Sequence, residues 1–258
     1  MSVFVECVEH GAIRELKLAR PPVNALDPTL CGELSAAVTA AIDEGAHGIV
    51  LSGGPSVFSA GLDVPHLLSL GDDRAALQAA WQSFFTAARA IAGSGVPVVA
   101  AIAGHAPAGG CVLALCCDYR VMAASVDPMK PFRIGLNETQ VGLVAPEGVQ
   151  RLLQRVVGPH RAERLLVAGE LVDAERALAI GLVDELVDIE HVATRARMWL
   201  EMLLQLPRQP MLATRAIARA DLVAALQPEH IQLDRFLDAW FTPDTQAGLR
   251  ALVAKLGK

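Results

Sequence analysis

The sequence has 258 residues, 53% of them apolar and 19% charged, with a formal net charge of −6. That length and composition support one large folded core and exclude a disordered chain. The negative balance, with no basic cluster interleaved with aromatics, argues against a nucleic-acid partner.

Residues 2–19 read as a hairpin, VFVECVE and AIRELKLA about a turn at His10-Gly11. RPPVNALD is a loop ending at Asp27, an N-cap with Pro28 at N1, and a helix is predicted over 28–44. GIVLSG (48–53) is a short buried strand, PSVFSAGLDV a loop, and a helix follows over about 73–92. Next come a strand (97–103), a Gly-rich turn, a helix from about 109 to 116 and a strand over 118–124. Past FRIGL and the segment IGLNETQVGL (134–143), EGVQRLLQRVVG and HRAERLLVAG are amphipathic helices. DAERALAIG is a helix with Gly181 at C′, and LVDELV (182–187) a last strand. From about 190 every periodic segment is helical: 190–206, 208–226, 229–240 and 243–256. The pattern predicts an α/β core over 1–189 and a helical region over 190–258. Leu200, Leu203, Leu204, Phe236, Trp240 and Phe241 give that tail more apolar surface than a lone appendage covers. It is expected to pack on the core or on another subunit.

Residues 96–117, VPVVAAIAGHAPAGGCVLALCC, carry no Asp, Glu, Lys or Arg and mimic a membrane span. Pro97, Gly104, His105, Pro107, Gly109 and Gly110 interrupt them, so strand, turn and short helix is the expected parse. The five cysteines, Cys7, Cys31, Cys111, Cys116 and Cys117, are odd in number and include no CxxC pair. Neither a disulfide framework nor a zinc site is expected. MSVFVECVEHG lacks the basic and apolar regions of a signal peptide, and a reducing, cytoplasmic setting is expected.

Three stretches could carry chemistry. In FSAGLDV (58–64), small residues let a ligand approach the backbone. In GHAPAGGCVLALCCD (104–118), Gly109-Gly110 opens a helix whose first N–H groups have no intrahelical partner. Together the two could supply backbone donors to an oxyanion. The third is Glu138, a carboxylate in an apolar wall, where a raised pKa favours use as a base. Glu147 in APEG reads as a first-turn helix residue and is the reserve carboxylate. His66, His105 and His160 have no Ser or Cys at triad spacing, Asp118 reads as structural, and no GxxxxGK[ST] occurs.

In order, RPPVNALD (20–27), FSAGLDV (58–64), PVVAAIAGHAPAGGC (97–111), CDYRVMA (117–123), GLNETQVGL (135–143) and AIGLVDELV (179–187) resemble the crotonase superfamily of enoyl-CoA hydratases and isomerases. The resemblance spans essentially the whole chain. It implies an α/β fold, a spiral of ββα units with a C-terminal helical trimerisation region. It implies an acyl-CoA thioester ligand and a homotrimer or dimer of trimers, with no metal or redox cofactor, no nucleic acid and no membrane. By match to the motifs, the oxyanion donors would be the N–H groups of Ala60 and Gly109. Ala60, Gly61, Leu62, Asp63, Val64, Gly109 and Asn137 would line the substrate. Hydratases of the family carry a second glutamate on the helix after the Gly pair, where this chain has Val112. A lone Glu138 is similar to the Δ3,Δ2-enoyl-CoA isomerase branch, in which one base moves a proton from C2 to C4 in fatty-acid β-oxidation. A weak hydratase, an acyl-CoA hydrolase and a non-catalytic acyl-CoA-binding protein remain the alternatives.

Overall fold

The computed structural model describes residues 4–255. Its strands sort their side chains by the two-residue period. In β3 (Gly48–Ser52) Ile49 and Leu51 enter the larger core cluster and Val50 the smaller one. In β4 (Val98–Ile102) Val98, Ala100 and Ile102 face one way and Val99 and Ala101 the other. Both faces of these strands are covered, as parallel strands require.

The antiparallel hairpin β1 (Val5–His10) and β2 (Ile13–Leu18) edges the sheet, and its order is β1-β2-β3-β4-β6-β9. Here β6 is Tyr119–Ala123 and β9 Glu185–Val187, and every pairing beyond the hairpin is parallel. On the larger face lies α1 (Pro28–Asp43), which buries Leu30, Leu34, Val38 and Ala41 at helical spacing. Asp27 caps it, accepting from the Leu30 N–H. α2 (Val64–Ser69) and the long α3 (Arg74–Ala92) follow. On the opposite face α8 (Val192–Leu203) lays Val192, Ala196 and Leu200 against Val50, Val99 and Val121.

A second, three-stranded sheet positions the site. It joins β5 (Ala106–Pro107), β7 (Arg133–Gly135) and β8 (Val172–Asp173). β5 runs into α4 (Gly109–Leu115), and β7 into a 3-10 helix, Glu138–Val141. α5 (Glu147–Val157), α6 (Pro159–Ala168) and α7 (Ala174–Ala179) complete this half.

The tail packs on its own core. α12 (Leu233–Trp240) buries Phe236, Leu237 and Trp240, and the Phe236 ring lies 4.4 Å from that of Trp81 on α3. α13 (Pro243–Lys255) lies on the 3-10 helix and α2. Thr245 Oγ1 donates to the Gly142 carbonyl at 2.6 Å.

Local details depart from the sequence reading. The helix expected over 208–226 divides into α9 (Arg208–Ala218) and α10 (Ala220–Ala225). The break is at Arg219, whose buried guanidinium donates to the Cys116 carbonyl at 2.6 Å and pairs with Asp118 at 3.1 Å. The helix expected over 229–240 divides into α11 (Pro228–Ile231) and α12 at Gln232, which is left-handed (φ 48°). The six-residue α2 is too short to show a period. The strand read over 182–187 is three residues, β9. Residues 2–3 of the expected hairpin and residue 256 of the last helix lie outside the described residues. The apolar stretch 96–117 is β4, turn, β5 and α4, and among the described residues no helix is long and apolar enough to cross a membrane.

Candidate active site

Backbone hydrogen bonds bring three segments together. β5 and β7 pair in parallel, Ala106 with Ile134 and Pro107 with Gly135. The Ala108 N–H then donates to the Gly135 carbonyl at 2.8 Å. The Gly-rich turn and the glutamate segment therefore ride on one small sheet. The 54–63 loop is tied to the turn by Phe58 N–H donating to the His105 carbonyl at 2.8 Å. It is tied to the 20–27 loop by Leu26 N–H donating to Gly61 O (2.8 Å) and Asp63 N–H to Leu26 O (3.1 Å). Side chains brace the same seam: Asn24 Nδ2 donates to Phe58 O at 3.0 Å and Ser59 Oγ to Asn24 O at 2.8 Å.

This bracing corrects the expected donor pair. The Ala60 N–H donates to the Val23 carbonyl at 2.9 Å, so it is already committed within the fold. Leu62 forms a parallel bridge with Leu26 in which Gly61 O and Asp63 N–H face Leu26. Peptide directions alternate along an extended chain, so the Leu62 N–H faces away from that bridge. Among the described residues neither Leu62 N–H nor Gly109 N–H has a protein acceptor. The two peptides are adjacent: a Cβ built on Gly61 would lie 3.0 Å from Gly109 N, and one on Gly109 3.2 Å from Gly61 Cα. Ala108, left-handed at φ 48° without being glycine, turns the chain into Gly109. Such a conformation costs of order 1–3 kcal/mol and persists only where the surroundings impose it. The signal that separates Leu62 from Ala60 is the Leu26 bridge, a non-local contact that FSAGLDV alone does not carry.

Glu138 opens its 3-10 helix, and left-handed Gly142 (φ 79°) closes it. The residue is half-buried, yet its Oε2 is sealed from solvent and has no hydrogen-bond partner. Burial pushes its pKa up to about 7. The buried Cys111 thiol of α4 is held protonated by its own burial and then by the Glu138 charge. Val112, 2% exposed, gives α4 no acid at the neighbouring position.

The other candidates separate. Asp63 caps α2, accepting from His66 N–H at 3.0 Å, and accepts from Arg20 at 2.8 Å; Arg20 also pairs with Asp27 at 3.2 Å. Burial opposes the Asp63 charge, but these partners outweigh it and lower its pKa. Val64 begins α2, half-buried. Asn137 precedes the 3-10 helix, its carbonyl accepting from Gln140 N–H at 3.1 Å, while its side chain does not cap that helix. Glu147 is exposed on α5 and ion-paired to Arg151 at 2.6 Å, which removes the reason to hold it in reserve as a base. Asp118 accepts from Val98 N–H and from both Arg215 Nε and Nη2, each at 2.8 Å, a structural role. His160 is an exposed residue of α6. Clefts of about 700 Å³ between α3 and α11–α12 and about 580 Å³ between α8 and α9 do not include Glu138.

A family model described as enoyl-CoA hydratase/isomerase matches residues 9–256. The chain belongs to this family. It is 35% identical to the mouse mitochondrial enoyl-CoA delta isomerase 1 over 224 residues, 84% of this chain and 74% of that protein. It is 34% identical to a Mycobacterium avium protein named probable enoyl-CoA hydratase echA17 over 250 residues, 90% of this chain and 93% of that one. The crystal structure of human mitochondrial delta3-delta2-enoyl-CoA isomerase superposes with a TM-score of 0.90 at 30% identity, covering 98% of each chain. The fold is thus the crotonase fold, and family membership makes the chain an enoyl-CoA-processing enzyme. Relatives of both reaction types stand at nearly equal identity, so the reaction has to be argued from the site.

Proposed function

We propose that this enzyme moves the double bond of a 3-enoyl-CoA to the trans-2 position, as an isomerase of fatty-acid β-oxidation. One observation carries the reading. Glu138 has a sealed and partnerless Oε2, whereas the Asp63 carboxylate is committed to Arg20 and to capping α2, and buried Val112 stands where the family's hydratases hold their second glutamate. Hydration needs one group to activate water and another to deliver a proton. Isomerisation needs one base that reaches both C2 and C4.

In the proposed cycle the Glu138 carboxylate takes the C2 proton, and the electron pair moves into a dienolate with its charge on the thioester oxygen. The N–H groups of Leu62 and Gly109, in place of the Ala60 and Gly109 pair, donate to that oxygen. One such donor is worth about 10²–10³ in rate. The Glu138 carboxylic acid returns the proton to C4, the carbonyl reforms and the double bond lies between C2 and C3. A base with a pKa of about 7 suits both the taking and the return. The shuttle draws on no metal or redox cofactor, because CoA is part of the substrate. Gly61, Leu62 and Gly109 would border the thioester, with Asp63 and Val64 beyond them and Asn137 beside the base.

The test is product analysis with cis- and trans-3-enoyl-CoA of several lengths, on the parent and on Glu138→Gln. Trans-2-enoyl-CoA from the parent alone is the expected result. A 3-hydroxyacyl-CoA as the main parent product, or turnover retained in Glu138→Gln, overturns it.

A further inference from the structure

His105 plays no part in that cycle, yet its polar groups tie down both walls of the site. Its carbonyl accepts from Phe58 N–H at 2.8 Å, and its N–H donates to the Ser56 carbonyl at 2.9 Å. Its backbone thus anchors the loop that carries Leu62. Its ring Nδ1 accepts the Arg133 N–H at 3.1 Å, at the first residue of β7 and five residues before Glu138. The residue after it, Ala106, begins β5 and pairs with Ile134, and Gly109 follows three residues later.

We propose that His105 is a positioning residue, whose neutral imidazole sets the spacing between Glu138 and the two N–H donors. The inference rests on the reading of Glu138 as the shuttle base. The β5–β7 ladder is two residue pairs long, too short to fix its own open end. One step further along, this register would make the Gly104 carbonyl the acceptor for the Arg133 N–H, which meets the His105 ring instead. The imidazole takes its place and extends the ladder by one rung. The ring is held edge-on to Phe132, centroids 5.4 Å apart and planes at 89°. Without the rung, the Arg133 end of β7 keeps its pairing with β8 but loses its outermost tie to the Gly-rich turn, and a shift of that end carries Glu138 with it.

The rung needs an unprotonated Nδ1, since an imidazolium would set a donor against a donor. Burial, and then the charge of Arg133, hold the imidazole below its ordinary value. Ser56 and Phe58 from the loop and Phe132 from the approach to β7 bring no charge to the ring. The sign is that of a lowered cation pKa. The stabilisation is present above the ordinary imidazole value and is lost as pH falls through the lowered one.

The test compares the parent, His105→Ala and His105→Asn on trans-3-hexenoyl-CoA. In His105→Ala, kcat should fall about tenfold to a hundredfold, since misplacement by about 1 Å can cost that much, with KM changed less than about threefold. In His105→Asn, Oδ1 stands where Nδ1 stood and does not titrate, so kcat should return to within about threefold of the parent. Below neutral pH the parent's log kcat should fall first with unit slope as Glu138 protonates, then more steeply as His105 does. The Asn variant should keep unit slope. Parent-like kcat and pH profile in His105→Ala overturn the inference, as does an Asn variant as impaired as the Ala one. A parent that makes no trans-2 product sinks the isomerase reading instead, and the parent arm alone reports that.

Discussion

At the scale of single residues, Glu138 is a carboxylate whose burial outweighs the backbone hydrogen bond that favours its charge. A raised carboxylate pKa means that the protonated form is favoured in the folded state. Its contribution to stability is present below the unfolded value and is lost as pH rises through about 7. Glu138→Gln should therefore stabilise the protein on the order of 1–3 kcal/mol above pH 7 and change little at pH 4. Denaturant unfolding at both pH values reads this directly; equal stabilities at high pH would place the carboxylate in water. The same pKa sets the activity profile of the parent, with kcat/KM climbing to a plateau above about pH 7. Val112→Glu asks whether a missing acid is what separates this site from a hydratase. The new carboxyl would sit on α4, whose residues from Gly109 to Leu115 are all buried. A cost of about 2 kcal/mol or more and only a trace of 3-hydroxyacyl-CoA are expected. Hydration already strong in the parent would mean that one glutamate does the work assigned to two. The lone acid was legible because IGLNETQVGL surrounds it with apolar and uncharged residues. The donor was not: Ala60 and Leu62 sit in one loop, and only the Leu26 bridge tells which N–H is free.

At the scale of elements, the site depends on backbones that touch. A Cβ on Gly110 would lie 2.4 Å from the Ser59 carbonyl, forcing α4 away from the loop that carries Leu62. Gly110→Ala should part the two donors and lower kcat/KM by about 10² or more. A bound conjugated enoyl-CoA reports the same loss, because the red shift of its thioester absorption depends on those donors. Unchanged kinetics and spectrum would show that the donors tolerate the displacement. On the other side of the glutamate, Gly248 meets the Val141 carbonyl and Thr245 donates to Gly142, holding α13 on the 3-10 helix. Thr245→Val should cost about 1 kcal/mol in thermal or denaturant stability. The long elements were readable: α1 and α3 show a cap, a period and a stop within one stretch. What was hidden is set from a distance. The break at Arg219 is fixed by Asp118 and the Cys116 carbonyl, about a hundred residues away in sequence, and no periodicity records such a partner.

At the scale of the whole molecule, the helical tail divides its apolar residues between two uses. Phe236, Leu237, Trp240 and Leu249 complete the larger core cluster of the same chain. Removing residues from 229 onward would therefore strip Trp81 of its cover before it tested any assembly. The residues left outside lie elsewhere, on α8, α9 and the turn between them: Met198 is 50% exposed, Met202 56%, Leu206 52% and Ile217 80%. Trp199, Leu203 and Met211 line the groove between these helices. Exposed apolar side chains gathered on adjacent helices mark a surface for association. We propose a second copy of the chain as its cover, in the homotrimer or dimer of trimers the family resemblance implies. The parent should sediment as an oligomer at micromolar concentration. The double change Met202→Glu and Ile217→Lys replaces two exposed apolar side chains and touches neither core cluster. It should shift sedimentation toward the monomer while leaving far-ultraviolet circular dichroism unchanged. The melting temperature should fall and lose its dependence on protein concentration, because assembly stabilises the folded state by mass action. Glu138, Leu62 and Gly109 all belong to one chain, and its own α13 lies on the 3-10 helix that Glu138 opens, so the monomeric variant should keep isomerase turnover within about tenfold of the parent. A parent that sediments as a monomer removes the assembly, and a monomeric variant without turnover would mean that the site needs a neighbouring subunit after all.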